Sequence, residues 1–462
     1  MRNTLPLLLA CLLARPDAAL AFCGFYVAKA DAALYNKASQ VVLVRNGDKT
    51  VITMANDYKG DPKEFALVVP VPVVLTKADV RVIEPELITA LDAYSSPRLV
   101  EYFDHDPCRP DPMYLRKGGV MAAVRGSAQN EGGSAAARAK ALGVTIEEKF
   151  TAGEYDILVL GAKESDGLET WLTENGYKLP KGASKALAPY IKLKHKFFVA
   201  KVNLKEKENS GFAKLRPLQF GFKDPRFMLP LRLGMLNADG PQDLLVYAIT
   251  KEGRVESSNY RTVDVPSDRA IPTYARGEFA KIYPALFEQA WKKYDKRSVL
   301  TEYTWDLNWC DPCASEPPTR EQLEKLGVWW FPDTPDGAPQ GTNKIFLPNR
   351  PRRGGGSLEA RVTRLHVRYE KETWPEDLVF QETTDRRNFQ GRYVLNHRWE
   401  GTAACDEAKV YREKTLPEKE EKAVQELSAL TGWPAADIRR DWKTARAEGR
   451  DKVPPQPAHP WR

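Results

Sequence analysis

Hydrophobic periodicity changes along the chain and marks its elements. QVVLVRNGDKTVITMAND (40–57) holds two β-branched apolar runs around Asn46-Gly47-Asp48. Asn-Gly tolerates the positive φ of a tight turn, so this stretch predicts a hairpin. FALVVPVPV (65–73) predicts an extended strand. Its Pro70 and Pro72 cannot donate ladder hydrogen bonds, which places it at a sheet edge or leading out of a sheet. Residues 81–103 have helical spacing in part, and SSPRLVEYF sets Pro97 near a helix N-terminus behind a serine cap. GEYDILVLGA (153–162) reads as a strand. DGLETWLTENGYKLP (166–180) reads as a helix with Leu168, Trp171 and Leu172 on one face and Asn175-Gly176 at its C-cap. Strands are predicted over 196–204, 216–222, 228–236 and 243–250.

Beyond about Tyr274 the pattern changes. An amphipathic helix is predicted over 277–294, a strand over 298–307 and a short helix over 319–327. Residues 360–370 and 391–401 alternate like two antiparallel strands joined by a long connection, and helices follow over 417–432 and 433–446. The mixture predicts an α+β fold, mainly antiparallel sheet with packed helices, in two or three domains. The expected divisions are a signal peptide (1–21), an N-terminal α+β segment (22–115), a Gly/Ala/Ser-rich flexible linker (116–140), a strand-rich α+β domain (141–272), an aromatic-rich α+β segment with a CxxC (273–401), and a charged helical tail with a disordered end (402–462).

The first residues change the picture most. Arg2 precedes an apolar run over Leu5–Ala14, and Ala19-Leu20-Ala21 supplies the small residues for cleavage after Ala21. The run is shorter than the roughly 20 residues a bilayer requires, and no later segment is long and apolar enough. The chain is therefore expected in the periplasm or outside the cell, with no membrane span. Net charge is +7, and removing Arg2, Arg15 and Asp17 with the leader lowers it to +6. Basic and acidic residues are interleaved, which excludes a nucleic-acid footprint.

Export permits disulfides. Cys11 leaves with the leader, so the candidates are Cys23, Cys108, Cys310, Cys313 and Cys405, an odd set. Two bridges among them allow 15 arrangements, and sequence does not choose. A Cys23–Cys108 bridge would staple the first segment.

FCGFYVAKADAALYNKASQVVLVRNGDKTVITMANDYKGDPKEFALVVPVPVVL, EYDILVLGAKESDGLETWLTENGY, FFVAKVNL, LQFGF, PRFMLPLRLGMLNADGPQDLLVY, WCDPC and PEDLVFQETTDRRNFQGRYVLNHRWEG occur in this order between Cys23 and Gly401. Together they resemble an exported bacterial protein family catalogued as domain of unknown function 2330. The resemblance implies an exported prokaryotic protein and brings no activity, cofactor or catalytic residue.

The chemistry rests on the residues themselves. WCDPC (309–313) spells a thioredoxin-type site, in which Cys310 attacks and Cys313 resolves. The strand before it fits that reading. Pro317-Pro318 behind it cannot lie inside the helix such a site requires. The alternative is a proline turn pinned by a bridge between the two cysteines, or from one of them to Cys405. Zinc would need two further ligands, with Cys405 and His397 or His366 as candidates. Asp104, His105, Asp106 and Cys108 form a second polar cluster, which reads more simply as a turn. No Gly-x-Ser-x-Gly elbow, His-Glu-x-x-His or P-loop occurs, and no metal or cofactor is expected. A hydrolase would require His105, His195 or His366 beside a carboxylate and a Ser or Cys in one cleft. Trp305, Trp309, Trp329 and Trp330 are dense enough to line a binding groove, although packing is the commoner use of aromatics.

These features predict a non-enzymatic cell-envelope binding or structural protein with structural disulfides and a cell-envelope protein or glycan as partner. The alternative is a periplasmic thiol-disulfide oxidoreductase using Cys310 and Cys313.

Overall fold

The computed structural model describes residues 25–28, 35–59, 65–109, 144–175, 182–203, 205–206, 215–237, 240–309, 311, 316–331 and 358–452. The expected signal peptide, Cys23, the 116–140 linker, Cys310, Cys313 and the chain end after 452 lie outside them.

In chain order the strands are β1 (Phe25–Ala28), β2 (Tyr35–Asn46), β3 (Lys49–Lys59), β4 (Phe65–Val71), β5 (Val80–Val82), β6 (Arg98–Phe103) and β7 (Val144–Ala152). Next come β8 (Tyr155–Ala162), β9 (Lys196–Val202), β10 (Leu218–Lys223), β11 (Met228–Leu229), β12 (Gln242–Thr250), β13 (Val255–Ser257) and β14 (Arg261–Asp264). The last are β15 (Arg269–Ile271), β16 (Ser298–Asp306), β17 (Arg361–Tyr369), β18 (Leu378–Glu382), β19 (Phe389–Gln390) and β20 (Arg392–His397). The helices are α1 (Pro85–Ser95), α2 (Ser165–Glu174), α3 (Ala183–Lys192), α4 (Ala275–Lys293) and α5 (Arg320–Lys325), then α6 (Asp406–Val410), α7 (Leu416–Thr431) and α8 (Ala435–Ala447) in the tail. The fold is α+β with mostly antiparallel pairing, as the sequence predicts.

A nine-stranded sheet runs β14-β16-β17-β12-β2-β3-β10-β5, with β19 also on β16. A five-stranded sheet runs β1-β4-β9-β8-β7. The β2–β3 hairpin turns at Gly47, whose φ is +61°. Along β2, alternate residues serve opposite faces, which explains its unbroken apolar run. Val41 and Leu43 join the core between the two sheets, with Phe198, Ala200 and Ile157 opposite. Val42 and Val44 join a second core under α1. Helices α2 and α3 cover the outer face of the five-stranded sheet through Leu168, Leu172, Leu187 and Tyr190. The layer order is therefore helices, sheet, sheet, helices. The nine-stranded sheet takes strands from 22–115, 141–272 and 273–401 alike, so backbone hydrogen bonds tie the three segments together.

A smaller sheet, β15-β20-β6, carries the tail. Ile271, Tyr393 and Leu395 on it pack against Ile282 and Leu286 of α4 and against Val424, Leu427, Ile438 and Trp442 of the tail helices. Cys108 is bonded to Cys405, 297 residues away. This excludes both a Cys23–Cys108 bridge and a bridge from the WCDPC cysteines to Cys405.

Several expectations change. Residues 98–103 are strand β6, not a helix begun at Pro97. Ser96 ends α1 with extended backbone, and the residue before a proline disfavours helix. Residues 228–236 form only the short β11 and a 3₁₀ turn (Gly234–Asn237), since Pro230 interrupts the ladder. The 360–370 and 391–401 strands are not partners. β17 pairs with β12 and β16, whereas β20 pairs in parallel with β15 and β6. Strand β4 is internal, between β1 and β9. Its described pairing with β1 runs from Phe65 to Val68, and its pairing with β9 runs from Ala66 to Val71.

Replacing Cys405 by serine should lower unfolding stability by about 2–5 kcal/mol. The denaturation midpoint of the unreduced protein should fall to that of the reduced wild type. An unchanged midpoint would show that the tail docks without the bridge.

Candidate functional site

Three consecutive same-face positions of β17 are charged: Arg364, His366 and Arg368. All face helices rather than water. Opposite Arg368 on β12 lies Asp243, and opposite Arg364 lies Tyr247. On β16 the register slips between Thr301 and Tyr303. This bulge turns Glu302 and Tyr303 to the same side, a re-aiming typical of bulges. Gly391 N–H satisfies the bulged Glu302 carbonyl at 2.7 Å. A Cβ on Gly391 would sit 3.0 Å from that same oxygen, so glycine permits the approach.

Glu302 is fully buried, 0 % exposed. It accepts from Arg364 Nε at 2.5 Å, from His366 Nδ1 at 2.7 Å and from the Tyr283 hydroxyl of α4. His366 Nε2 meets Asp243 Oδ1 at 3.2 Å, and Asp243 binds Arg368 through two bonds of 2.8 and 2.7 Å. Arg364 also binds Asp92 Oδ1 of α1 at 2.5 Å, and Tyr247 donates to that oxygen at 2.6 Å. Phe287 of α4 stacks on the His366 ring, 3.7 Å between centroids. Both His366 nitrogens face carboxylate oxygens, which only accept, so the ring is an imidazolium. Three cations (Arg364, His366, Arg368) thus balance three anions (Asp92, Asp243, Glu302).

Burial pushes the Glu302 carboxyl up, but Arg364 and His366 outweigh it and hold the group at about 2. Burial likewise pushes Asp243 up, and His366 and Arg368 bring it to about 2. For His366 burial acts downward, and Glu302 and Asp243 reverse it, raising the imidazole above its ordinary value. Among the described residues no serine or cysteine bonds to His366; its two nitrogens are both taken by carboxylates. The lattice clamps α1 and α4 onto the sheet.

The other sequence candidates are distributed over the molecule. Within WCDPC, Asp311 is buried and accepts from the Tyr303 hydroxyl at 3.0 Å and from Gln390 Nε2 at 2.7 Å. Asp311, the middle residue of the motif, is thus anchored to the sheet. Cys310 and Cys313 lie outside the described residues. Trp309 is 47 % exposed, and its carbonyl accepts from Trp305 Nε1 at 3.2 Å. Trp329 and Trp330 meet edge to face at 5.1 Å. Trp305, Trp329 and Trp330 all pack partly against the core under α1. Only Trp329 of these four also lines the open groove between residues 73–81 and 324–329, a space of about 710 Å³.

The 104–108 cluster holds the tail. Asp104 accepts from Tyr411 at 2.8 Å and from Lys419 at 2.6 Å, and Asp106 caps the Cys108 amide at 3.0 Å. Cys405 is spent in its disulfide. His397 bonds Glu101 at 2.9 Å, far from a zinc set. Among the described residues no three His, Cys, Asp or Glu groups could hold a metal. His195 is 2 % exposed and bonded to Arg226 at 3.2 Å. Burial first, then Arg226, lowers it to about 4, so it stays neutral.

Sequence reading missed Glu302, Asp243, Asp92 and Tyr283. A signal existed in RLHVR (364–368), where a buried strand alternates cations with apolar residues. Their anions come from three other elements, 62 to 272 residues away from the groups they bind.

The molecule is thus a layered α+β protein with a buried ion lattice and an open surface groove, and no described helix is long and apolar enough to cross a membrane. The chain belongs to the family described as Uncharacterized protein conserved in bacteria (DUF2330), whose model matches residues 17–381. No curated protein matches it, and no solved structure does. The match ends before 391–401, although β20 of that stretch still pairs with β6 inside the matched region.

Two outcomes follow from the lattice. Glu302→Gln should cost about 3–5 kcal/mol, because it leaves buried cations unpaired. His366 has a raised folded pKa, so its contribution is full below about 6.5 and is lost as pH rises through the folded value. Urea midpoints from pH 6 to 9 should fall in wild type more steeply than in His366→Gln. Parallel slopes would refute the protonated assignment.

Proposed function

We propose that this protein is exported to the periplasm or beyond and acts there as a non-enzymatic binding or structural component of the cell envelope. The observation that carries the reading is the Cys108–Cys405 disulfide. Disulfides of this structural kind persist in oxidising compartments. The leader-like N-terminus agrees with export. The lattice around His366 supports a structural role, because its members satisfy one another and both imidazole nitrogens are taken by carboxylates. The Trp329 groove supports binding, since it is open and lined by both apolar and charged groups.

Fractionation of bacteria expressing the full chain, with intact mass of the purified protein, tests this. The expected result is a periplasmic or secreted protein beginning at Phe22, with Cys108 and Cys405 linked in a non-reducing peptide map. A reduced cytoplasmic protein retaining Met1 would overturn the export reading. Catalysis of disulfide exchange lost in Cys310→Ser would overturn the non-enzymatic reading in favour of the oxidoreductase.

A further inference from the structure

Helix α4 lays a stripe of aromatic side chains on the charged row of β17. Tyr283, Phe287 and Trp291 are spaced by four residues and so share one face. Tyr283 donates to Glu302, Phe287 stacks on His366, and Trp291 Nε1 donates to the Arg368 carbonyl at 2.9 Å. The Arg368 guanidinium lies 5.0 Å from the Phe287 ring centre and 5.6 Å from that of Trp291. Cations attract ring faces, so this end of α4 is held by the positive members of the lattice.

The two parts of α4 are held differently. Ala275, Ile282 and Leu286 belong to the large cluster beneath the tail helices. Phe287, Ala290 and Trp291 belong to a small one completed by Val265 and Leu300. Between them Pro284 lies inside the helix, and it cannot donate to the Ala280 carbonyl. The other partners of the lattice are fixed more firmly. His366, Glu302 and Asp243 stand on β17, β16 and β12, adjacent strands joined by backbone ladders. Helix α1 reaches the lattice through Asp92, on Arg364 and Tyr247 rather than on His366.

We propose that the end of α4 from Phe287 to Lys293 is a proton-controlled latch, closed on β17 while His366 is an imidazolium and opening about Pro284 when the ring gives its proton to water. The groups around the ring are Glu302 of β16, Asp243 of β12, Arg364 and Arg368 of its own strand beyond those carboxylates, and Tyr283 of α4, with Tyr393 of β20 buried near Glu302. Glu302 and Asp243 are held at about 2, and burial pushes the Tyr283 and Tyr393 hydroxyls up. Of these four groups and His366, only the imidazole changes charge between pH 6 and 10. Its side chain is 13 % exposed, so the proton has a path to solvent. Its loss leaves three anions against two cations, turns a ring lone pair toward a carboxylate oxygen, and removes the charge on which Phe287 stacks. A buried net charge is costly until water reaches it. The sheet cannot part without breaking ladders, whereas this end of α4 can lift. The latch goes beyond the cell-envelope reading and does not depend on it.

Amide hydrogen exchange of the full mature protein, expressed as protection factors from pH 6 to 10 with and without mild urea, tests this. Protection over 287–293 should fall about tenfold per pH unit above the ordinary histidine value of about 6.5, and level off beyond the folded value of His366. It should stay about tenfold or more below that of β17 (361–369) and of 279–283 at every pH, and should ignore urea below the unfolding transition, the mark of a local opening. In His366→Gln the 287–293 segment should be weakly protected already at pH 6 and indifferent to pH. Phe287→Leu should lower its protection about threefold or more at pH 6 and keep the pH response. Flat protection in the wild type, protection equal to that of 361–369 or 279–283, urea dependence equal to that of 361–369, or a pH response that survives in His366→Gln would overturn the proposal. The wild-type comparisons decide it even where a variant does not fold.

Discussion

A carboxylate with no access to water sits at the centre of this molecule. Glu302 stays ionised because Arg364 and His366 donate to it and Tyr283 adds a third bond. An isolated buried carboxylate would instead take up a proton. The arrangement exists only because β16 bulges at Glu302 and a glycine passes close enough to satisfy the displaced carbonyl. From that point the ion lattice extends to Asp92 of α1 and Asp243 of β12, and Tyr283 ties in α4. The helical layer on this face is positioned by charge as well as by apolar packing. Such a lattice gives geometric specificity more readily than net stability, because each ion must first be desolvated.

The opposite face of the same sheet follows a different physical rule. It meets the five-stranded sheet through aliphatic and aromatic side chains. Packing there depends on area and shape, whereas the helix side depends on matched charges. The tail uses both means. Its helices bury Leu427 and Trp442 against the small sheet, and Asp104, Tyr411 and Lys419 add directed bonds beside the Cys108–Cys405 link. The family match stops at residue 381, yet β19 and β20 complete two sheets of the matched region. Residues 382–452 are thus integral to the fold.

Sequence reading located most elements where the local signal was strong. The Asn46-Gly47 hairpin, the strands at 155–162 and 242–250 and the tail helices follow from turn chemistry and periodicity. It failed where pairing partners decide the outcome. β6 has the aromatic and β-branched content of a strand, but its parallel partner β20 lies nearly 300 residues later. The 104–108 cluster has the residue types of a metal site, and only the docked tail shows what they bind. Of the tryptophans, Trp329 lines the groove and Trp330 packs beside it against the core, a difference no local pattern encodes.

The sequence by itself determined the α+β class, the family, the hairpin of two apolar runs around Asn46-Gly47, and the stock of cysteines from which a bridge could form. These depend on neighbours within a few residues, where backbone geometry links identity to structure. Only the tertiary structure decided that Cys108 meets Cys405, that Glu302 and His366 neutralise each other, and that Lys49 and Lys223 face each other across β3 and β10. Each of these joins residues from separate strands or segments. Their energies depend on distance and solvent exclusion, and chain order records neither.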